Sequence, residues 1–329
     1  MRYVIYGAGA IGGTIGGCLF AAGNRVALIA RGDHLTALQR TGLRLQRTQG
    51  EDTYTIETFS SPADAQITGD DVVVLAMKSQ HSASAVDSLA NAAPPQVSVV
   101  CAQNGVESER RALRVFSRVY AMTVVLPADH LEPGVVRAHG GPVPGILDLG
   151  RVPEGIDEVA ERVVADLNSA GFSARALERP MRWKYAKLVS NLANILDALT
   201  GPDGRRSELT DLLRDEARAV LAAAAIGTAT PDEERERRAG VLDIRPVAGE
   251  ARSGSSSWQS LARGAGSIET DYLNGKIVLL GRLHGVPIPA NAAVMQEARR
   301  AVRNGTPAGS LGISELTERV LAASAEGTA

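Results

Sequence analysis

Three groups of residues in this chain have types and spacings that suit chemistry. Gly7, Gly9 and Gly12 form a G-x-G-x-x-G run that directly follows the apolar Tyr3-Val4-Ile5-Tyr6 and precedes Thr14 to Ala22, small and apolar residues closed by Gly23. Between a strand and a helix, such a run can hold a dinucleotide pyrophosphate. The first glycine allows a tight turn, the second lets the backbone approach the anion, and the third lets helix and strand pack; the helix N-terminus adds N–H groups and a positive dipole end. Gly7, Ala8, Gly9, Ala10, Ile11 and Gly12 are therefore the expected cofactor turn, with a glycine-rich turn that binds nothing as the plain alternative. Lys78 and Asn104 follow two further apolar runs, Asp71 to Met77 and Val97 to Cys101. Ligands of open parallel sheets bind beyond the carboxyl ends of the strands, so both residues fall where cofactor and substrate should meet; Asn104-Gly105 is also an ordinary turn pair. Lys187, Asn191 and Asn194 recur at i, i+4 and i+7, which places three polar residues on one face of a helix. Taken alone, a helix lysine is ordinarily a solvated surface residue.

Arg31 bears on the choice of cofactor. It follows the strand-like Arg25 to Ala30, where an NAD site usually carries an acidic residue for the ribose hydroxyls and an NADP site wants an arginine for the 2′-phosphate. Arg31 favours NADP (NADPH), and Asp33 keeps NAD open.

The elements that would position these residues divide the chain in two. At 329 residues it is long enough for two domains. Strand-helix alternation over residues 1–176 gives an α/β Rossmann domain with a mostly parallel sheet, and residues 177–329 an all-α domain for substrate and dimerisation, with the active cleft expected between them. Leu43 to Leu45 and Tyr54 to Ile56 read as a hairpin around Gln49-Gly50, and Tyr120 to Val125 and Val135 to His139 as strands completing the sheet, His139 being a turn-flanking residue. From about Pro180 the periodicity is helical: Met181 to Leu199 as one helix, Leu209 to Ile226 as another, and Ile268 to His284 as a third, ended by Gly285 and Pro287. The charged Asp232 to Arg238 is most simply a solvated face, Ser253 to Ser257 a loop, and the tail after about Ala322 a frayed end.

Composition narrows the function classes. With 44% hydrophobic and 22% charged residues and a net charge of -2, nothing points to nucleic acid or to an anionic membrane as partner. No stretch is apolar for long enough to span a bilayer, and glycines interrupt the N-terminal run in a way that does not suit a signal peptide. Cys18 and Cys101 lie in apolar surroundings, which fits buried thiols in a reduced compartment, with no structural metal and a cytoplasmic location expected.

Six stretches in order, GAGAIGG, MKSQ, QNGV, PGVVRAHGG, WKYAKLVSN and IETDYLNG, resemble the ketopantoate reductase (2-dehydropantoate 2-reductase) family over nearly the whole chain. The resemblance implies NADPH-dependent reduction of a 2-oxo acid. It makes Lys187 the general acid toward the keto oxygen and Asn191 a substrate ligand beside it, and it gives Glu269 the substrate hydroxyl. Asn104 and Lys78 are implied near the nicotinamide and substrate. Two departures stand out. The family's second asparagine position is Ile195 here, with Asn194 one residue early; and the S-S-M-x-Q-D pattern is replaced by Ser255-Ser256-Ser257-Trp258-Gln259-Ser260, which leaves Ser256 and Ser257 equally eligible for the substrate carboxylate.

Hydride delivery to a ketone builds negative charge on oxygen, which a nearby cation must neutralise and then protonate. A lysine can do both once burial lowers its pKa toward neutrality. The alternatives are a reductase of another 2-oxo acid, an opine-type dehydrogenase acting on an imine, and a nucleotide-sensing Rossmann protein without catalysis. A homodimer is compatible with each.

Overall fold

The computed structural model describes residues 1–264 and 266–326. The chain forms two compact units, one from Met1–Lys184 with Ala229–Arg252 and one from Tyr185–Thr228 with Ser253–Ala329.

The first unit begins with β1 (Arg2–Tyr6), α1 (Ala10–Ala21), β2 (Arg25–Ile29), α2 (Gly32–Thr41), β3 (Leu43–Arg47), β4 (Gly50–Tyr54), β5 (Glu57–Phe59) and β6 (Asp71–Leu75). It continues with α3 (Ser82–Ala90), β7 (Ser98–Cys101), α4 (Ser108–Ala112), β8 (Arg118–Val125), β9 (Ala128–Asp129), β10 (Val135–Ala138), β11 (Gly140–Pro142), β12 (Ile146–Arg151) and α5 (Glu158–Ser169). Seven strands make the main sheet in the order β12-β8-β7-β6-β1-β2-β5, parallel throughout except where β12 runs against β8. Both faces of this sheet are covered along its inner strands, which is why β1, β2, β6 and β7 are nearly continuous apolar runs. Tyr3 and Ile5 enter one core with Val72 and Val74, while Val4 and Tyr6 enter the other with Val73 and Leu75. Each such buried side chain contributes about 1.5–3 kcal/mol relative to exposure.

Val135 to Ala138 does not complete the main sheet. It pairs in parallel with β3 in a second sheet of order β4-β3-β10-β9. The reason lies in α1, whose glycines occupy two faces. A Cβ at Gly16 would stand 2.9 Å from Leu28 on the main sheet, and one at Gly13 2.8 Å from Val136 on the second. The helix is clamped between two sheets, with no room for a side chain at Gly13 or Gly16. His139 likewise flanks no turn, since β11 follows it. It is fully buried, its Nε2 is 2.8 Å from Asp129 and its Nδ1 3.1 Å from the Arg245 carbonyl.

The helical stretch begins with α6 (Pro180–Asn191), α7 (Asn194–Thr200) and α8 (Glu208–Ala223), after which α9 (Pro231–Arg238) and β13 (Leu242–Ile244) return to the first unit. The first unit therefore does not stop at residue 176. It extends to Lys184 and takes back Ala229–Arg252, because β13 pairs with β11 and because Arg237 of α9 forks onto Asp148 of β12 at 2.7 and 2.6 Å. Asp232 to Arg238 is thus not simply a solvated face, since the helical repeat carries Arg237 to the buried side. A capping box at Thr230 and Glu233 starts this helix.

The second unit continues with α10 (Ser256–Ala262), α11 (Asn274–His284), α12 (Pro289–Asn304) and α13 (Ile313–Glu326), and its described residues form helices and no strand. The helix expected from Ile268 opens instead as a short 3-10 turn at Glu269–Asp271, and α11 ends at Gly285 in the left-handed region at φ 66. The expected fraying after Ala322 is not seen as far as Glu326, where α13 ends; residues 327–329 lie outside the described residues.

Candidate active site

The three glycines of the turn after β1 each do a separate job. Gly7 has φ +102, and a Cβ there would stand 2.7 Å from the Met77 backbone nitrogen. At Gly12 a Cβ would overlap the Gly7 carbonyl oxygen and stand 2.9 Å from Ile5 Cγ2, so this glycine lets α1 close on β1. At Gly9 a Cβ would meet one atom within 4 Å, His130 Cδ2 at 3.9 Å, so the space above it is open. That open cradle is what a pyrophosphate needs and what a side chain would fill. Gly7 and Ala8 donate their N–H groups to the Ile29 carbonyl at 3.0 and 3.3 Å, which fixes the turn. α1 starts at Ala10 with Gly9 as N-cap and no side-chain cap. The N–H groups of Ala10, Ile11 and Gly12 accordingly have no intrahelical acceptor and are available to an anion. Arg31 is exposed at the start of α2, with Nη2 3.3 Å from the Tyr6 hydroxyl.

Lys78 and Asn104 are brought together by the ends of β6 and β7. Lys78 precedes a 3-10 turn at Ser79–His81, and Ser79 Oγ donates to the Asn104 carbonyl at 3.0 Å. Gln103 Nε2 donates to Ser82 Oγ at 2.9 Å. A residue with no role in the sequence reading holds this corner: Lys184, 3% exposed. Its ammonium is 2.8 Å from Glu109 Oε1, which is 0% exposed, 2.5 Å from the Gln103 carbonyl and 3.5 Å from that of Met122. Burial pushes the adjacent Cys101 thiol well up, with Glu109 adding to the rise and Lys184 opposing it, so this cysteine is inert. Lys184 and Lys187 both belong to WKYAKLVSN, and neither residue type nor spacing tells the buried one from the other.

The remaining candidates lie in the second unit. Lys187, half-buried, and Asn191, buried, stand on α6. Asn194 does not continue their face, because the expected single helix from Met181 to Leu199 breaks at Leu192-Ala193 and Asn194 opens α7. The break is held from elsewhere in the chain. Asn274 Nδ2 donates to the Leu192 carbonyl at 3.2 Å, and Ser255 Oγ to the Asn194 carbonyl at 3.0 Å. Asn274 is the asparagine of IETDYLNG, so this bond ties the stretch carrying Glu269 to the end of the helix carrying Lys187 and Asn191. Glu269 itself is buried in the 3-10 turn before α11, not within a long helix.

Ser256 and Ser257 form the first turn of α10, capped by Ser255, whose backbone N–H donates to Asp197 at 2.5 Å. Ser257 is 1% exposed, and its Oγ has no hydrogen-bond partner among the described residues. A buried hydroxyl in that condition is a donor in search of an acceptor. A hollow of about 480 Å³ beside α10 is lined by Trp258, Leu261, Ile268, Val302 and Pro307 and contains none of the candidate site residues. Among the described residues no cluster of three metal-binding side chains occurs, and no helix is long and apolar enough to cross a membrane.

A mostly parallel sheet with an open glycine turn after β1, one of its inner strands, defines a Rossmann-type unit, and the chain carries a helical unit besides. Residues 3–154 match the family described as ketopantoate reductase PanE/ApbA, and residues 180–301 match its C-terminal part, ketopantoate reductase PanE/ApbA C terminal. The 2-dehydropantoate 2-reductase of Pyrococcus horikoshii is 29% identical over 300 residues, which are 88% of this chain and 94% of that protein. The crystal structure of a PanE/ApbA family ketopantoate reductase from Ralstonia eutropha JMP134 has a TM-score of 0.78 at 30% identity, covering 93% of this chain and 99% of that one. D-mandelate dehydrogenase in a ternary structure with NADH and anilino(oxo)acetate shares the fold at TM-score 0.79 and 20% identity, again over 93% of this chain and 99% of that one. The chain belongs to the ketopantoate reductase family, and its activity is that of an oxidoreductase of this kind.

Proposed function

We propose that the protein reduces a 2-oxo acid with NADPH, with 2-dehydropantoate as the first candidate substrate. The observation that supports this best is the bond from Asn274 to the Leu192 carbonyl, because it draws together, within one unit, the proton-donor stretch and the carboxylate stretch that this chemistry requires. The residues around Gly7, Gly9 and Gly12 fit a dinucleotide, and the bound cofactor supplies the hydride. Lys187 neutralises the charge that builds on the substrate carbonyl oxygen and gives that oxygen its Nζ proton. Asn191 donates to the same end of the substrate. Ser257 offers its buried hydroxyl to the substrate carboxylate, and Ser256 stands next to it as the second candidate. Glu269 accepts a hydrogen bond from the substrate hydroxyl. Asn104 and Lys78 orient cofactor and substrate beyond the carboxyl ends of β7 and β6, and Arg31 pairs with the 2′-phosphate.

Steady-state oxidation of NADPH and NADH across a panel of 2-oxo acids tests the reading. With the best substrate, Lys187→Ala should lower kcat by roughly two to four orders of magnitude, the range for general acid–base catalysis, and Lys187→Arg should not restore it, because guanidinium holds its proton too tightly. A Lys187→Ala enzyme with wild-type kcat would remove the mechanism. A second reading, reduction of a different 2-oxo acid, is favoured by the presence of Trp258 and by Ser260, which stands where the family pattern has an acidic residue. The same panel separates the two.

A further inference from the structure

A histidine that the proposed mechanism does not use sits against the glycine turn. His34, in the first turns of α2, has Nε2 2.8 Å from the Ala8 carbonyl oxygen, and its Nδ1 receives the Gly134 backbone N–H at 2.9 Å. An amide N–H can only donate, so Nδ1 carries the lone pair, the proton is on Nε2, and Nε2 donates to Ala8. The imidazole is thus neutral in this arrangement, and burial holds its pKa below the ordinary histidine value. Its ring lies against His130 with centroids 4.1 Å apart, and His130 is the side chain nearest the open space above Gly9. His130 Nδ1 donates in turn to the Val135 carbonyl at 2.9 Å.

Ala8 is therefore held at both ends of its peptide units, its N–H by the Ile29 carbonyl and its carbonyl by His34. The second anchor comes from the other sheet. Gly134, at φ +80, closes the Glu132-Pro133-Gly134 turn just before β10, and its own carbonyl accepts from Arg44 N at 2.9 Å on β3.

We infer that His34 is a positioning residue for the cofactor turn: by fixing the Ala8 carbonyl away from the anion, it keeps the N–H groups that follow aimed at the pyrophosphate. The inference rests on the reading of Gly7 to Gly12 as the dinucleotide site. A rotated Ala8 peptide would place a carbonyl oxygen where a phosphate oxygen has to come, so the bond to Ala8 should govern cofactor affinity. The bond from Gly134 merely sets the tautomer and the ring's orientation.

Two substitutions separate these roles. In His34→Gln the side-chain amide nitrogen can replace Nε2 and still donate to Ala8; in His34→Asn the amide oxygen can replace Nδ1 and accept from Gly134, but nothing reaches Ala8. NADPH affinity is measured by titrating the nucleotide's fluorescence, with folding checked by circular dichroism. His34→Gln should bind within about threefold of wild type, and His34→Asn about tenfold more weakly, as for one lost hydrogen bond. At saturating NADPH, kcat for both should stay within about twofold of wild type, since the bond acts on binding and not on the chemical step. A purely structural role would weaken both variants alike, and equal affinities for the two would overturn the inference. Should His34→Asn fail to fold, a folded His34→Gln protein about tenfold or more weaker than wild type would overturn it as well. A wild-type protein that binds neither NADPH nor NADH would overturn the cofactor reading itself, an outcome distinct from equal losses in the variants.

Discussion

Lys184→Met tests whether the corner that carries Asn104 is built around one buried ion pair. The side chains are 3% and 0% exposed, and the ammonium has three partners: Glu109 at 2.8 Å, the Gln103 carbonyl at 2.5 Å and the Met122 carbonyl at 3.5 Å. Methionine keeps the length and volume of the stem but leaves the Glu109 carboxylate buried without its cation. Breaking a buried pair from one side costs about 3–5 kcal/mol, and Glu109→Met should cost as much from the other side. In the double variant both charges are gone, and the remaining defect is the Gln103 carbonyl without its donor, about 1–3 kcal/mol. The two changes should therefore be strongly non-additive. Two tryptophans make the assay specific, since Trp183 lies in the first unit and Trp258 in the second. In a Trp258→Phe background, urea unfolding followed by Trp183 fluorescence reports the unit that contains the pair, which matters because a two-unit chain need not unfold in one step. A double variant that loses the sum of the single losses would refute the argument. A Lys184→Met protein within about 1 kcal/mol of wild type would refute it too, since a solvated pair is worth that little.

Two further outcomes follow from the first unit. Arg31→Ala should weaken NADPH about tenfold, less than a buried contact would because Arg31 is exposed, and leave NADH nearly unchanged; equal losses would show that Arg31 acts through its contact with the Tyr6 hydroxyl. His34 has a folded-state pKa held below its ordinary 6.5. The unfolded chain then takes up the proton first, so stability is intact above about 6.5 and falls as pH drops toward the lower folded value, by up to about 1.4 kcal/mol per pH unit. Thermal unfolding of wild type and His34→Gln between about pH 7.5 and about pH 5.5 should show the wild-type advantage shrinking on acidification, and parallel profiles would refute the sign.

Much of the first unit could be read from continuous apolar runs, because the inner strands of the main sheet bury both faces and need little else to identify them. The glycine turn was equally legible, since its spacing, its strand and its helix are contiguous. What escaped was set by distant partners. Val135 to Ala138 looks like any strand of its length, and its alternation does not say that β3 is its neighbour. The leucines and isoleucine from Leu188 to Leu199 keep helical spacing straight through Leu192-Ala193, where the helix breaks. The partner of that break, Asn274, is 82 residues away. Arg237 sits in a run of charges, and only its position on α9 relative to Asp148 makes it a buried partner. His139 precedes Gly-Gly-Pro, a sequence that suggests a turn, whereas these residues form β11 and the histidine is buried against Asp129 and the Arg245 carbonyl.

The second sheet is where the unread part of the fold bears on the site. A helix as rich in glycine as α1 has poor intrinsic stability, each interior glycine costing about 0.5–1 kcal/mol relative to alanine. It is tolerated because two sheets close on it: Leu28 and Ile5 against Gly16 from one side, Leu45 and Leu43 against Gly17 from the other. The sheet that supplies Leu43, Leu45 and Val136 also supplies Gly134, and through His34 it reaches the Ala8 carbonyl. The glycines at 7, 9 and 12 thus explain why the turn can accept an anion, and those at 13 and 17 why a second sheet can press against the same helix. Contacts from that sheet restrict a turn that its own residues would leave loose. The stiffness of the turn accordingly depends on pairings between β3 and β10, strands separated by β4 to β9 in the chain, which no local pattern around residues 7 to 12 records.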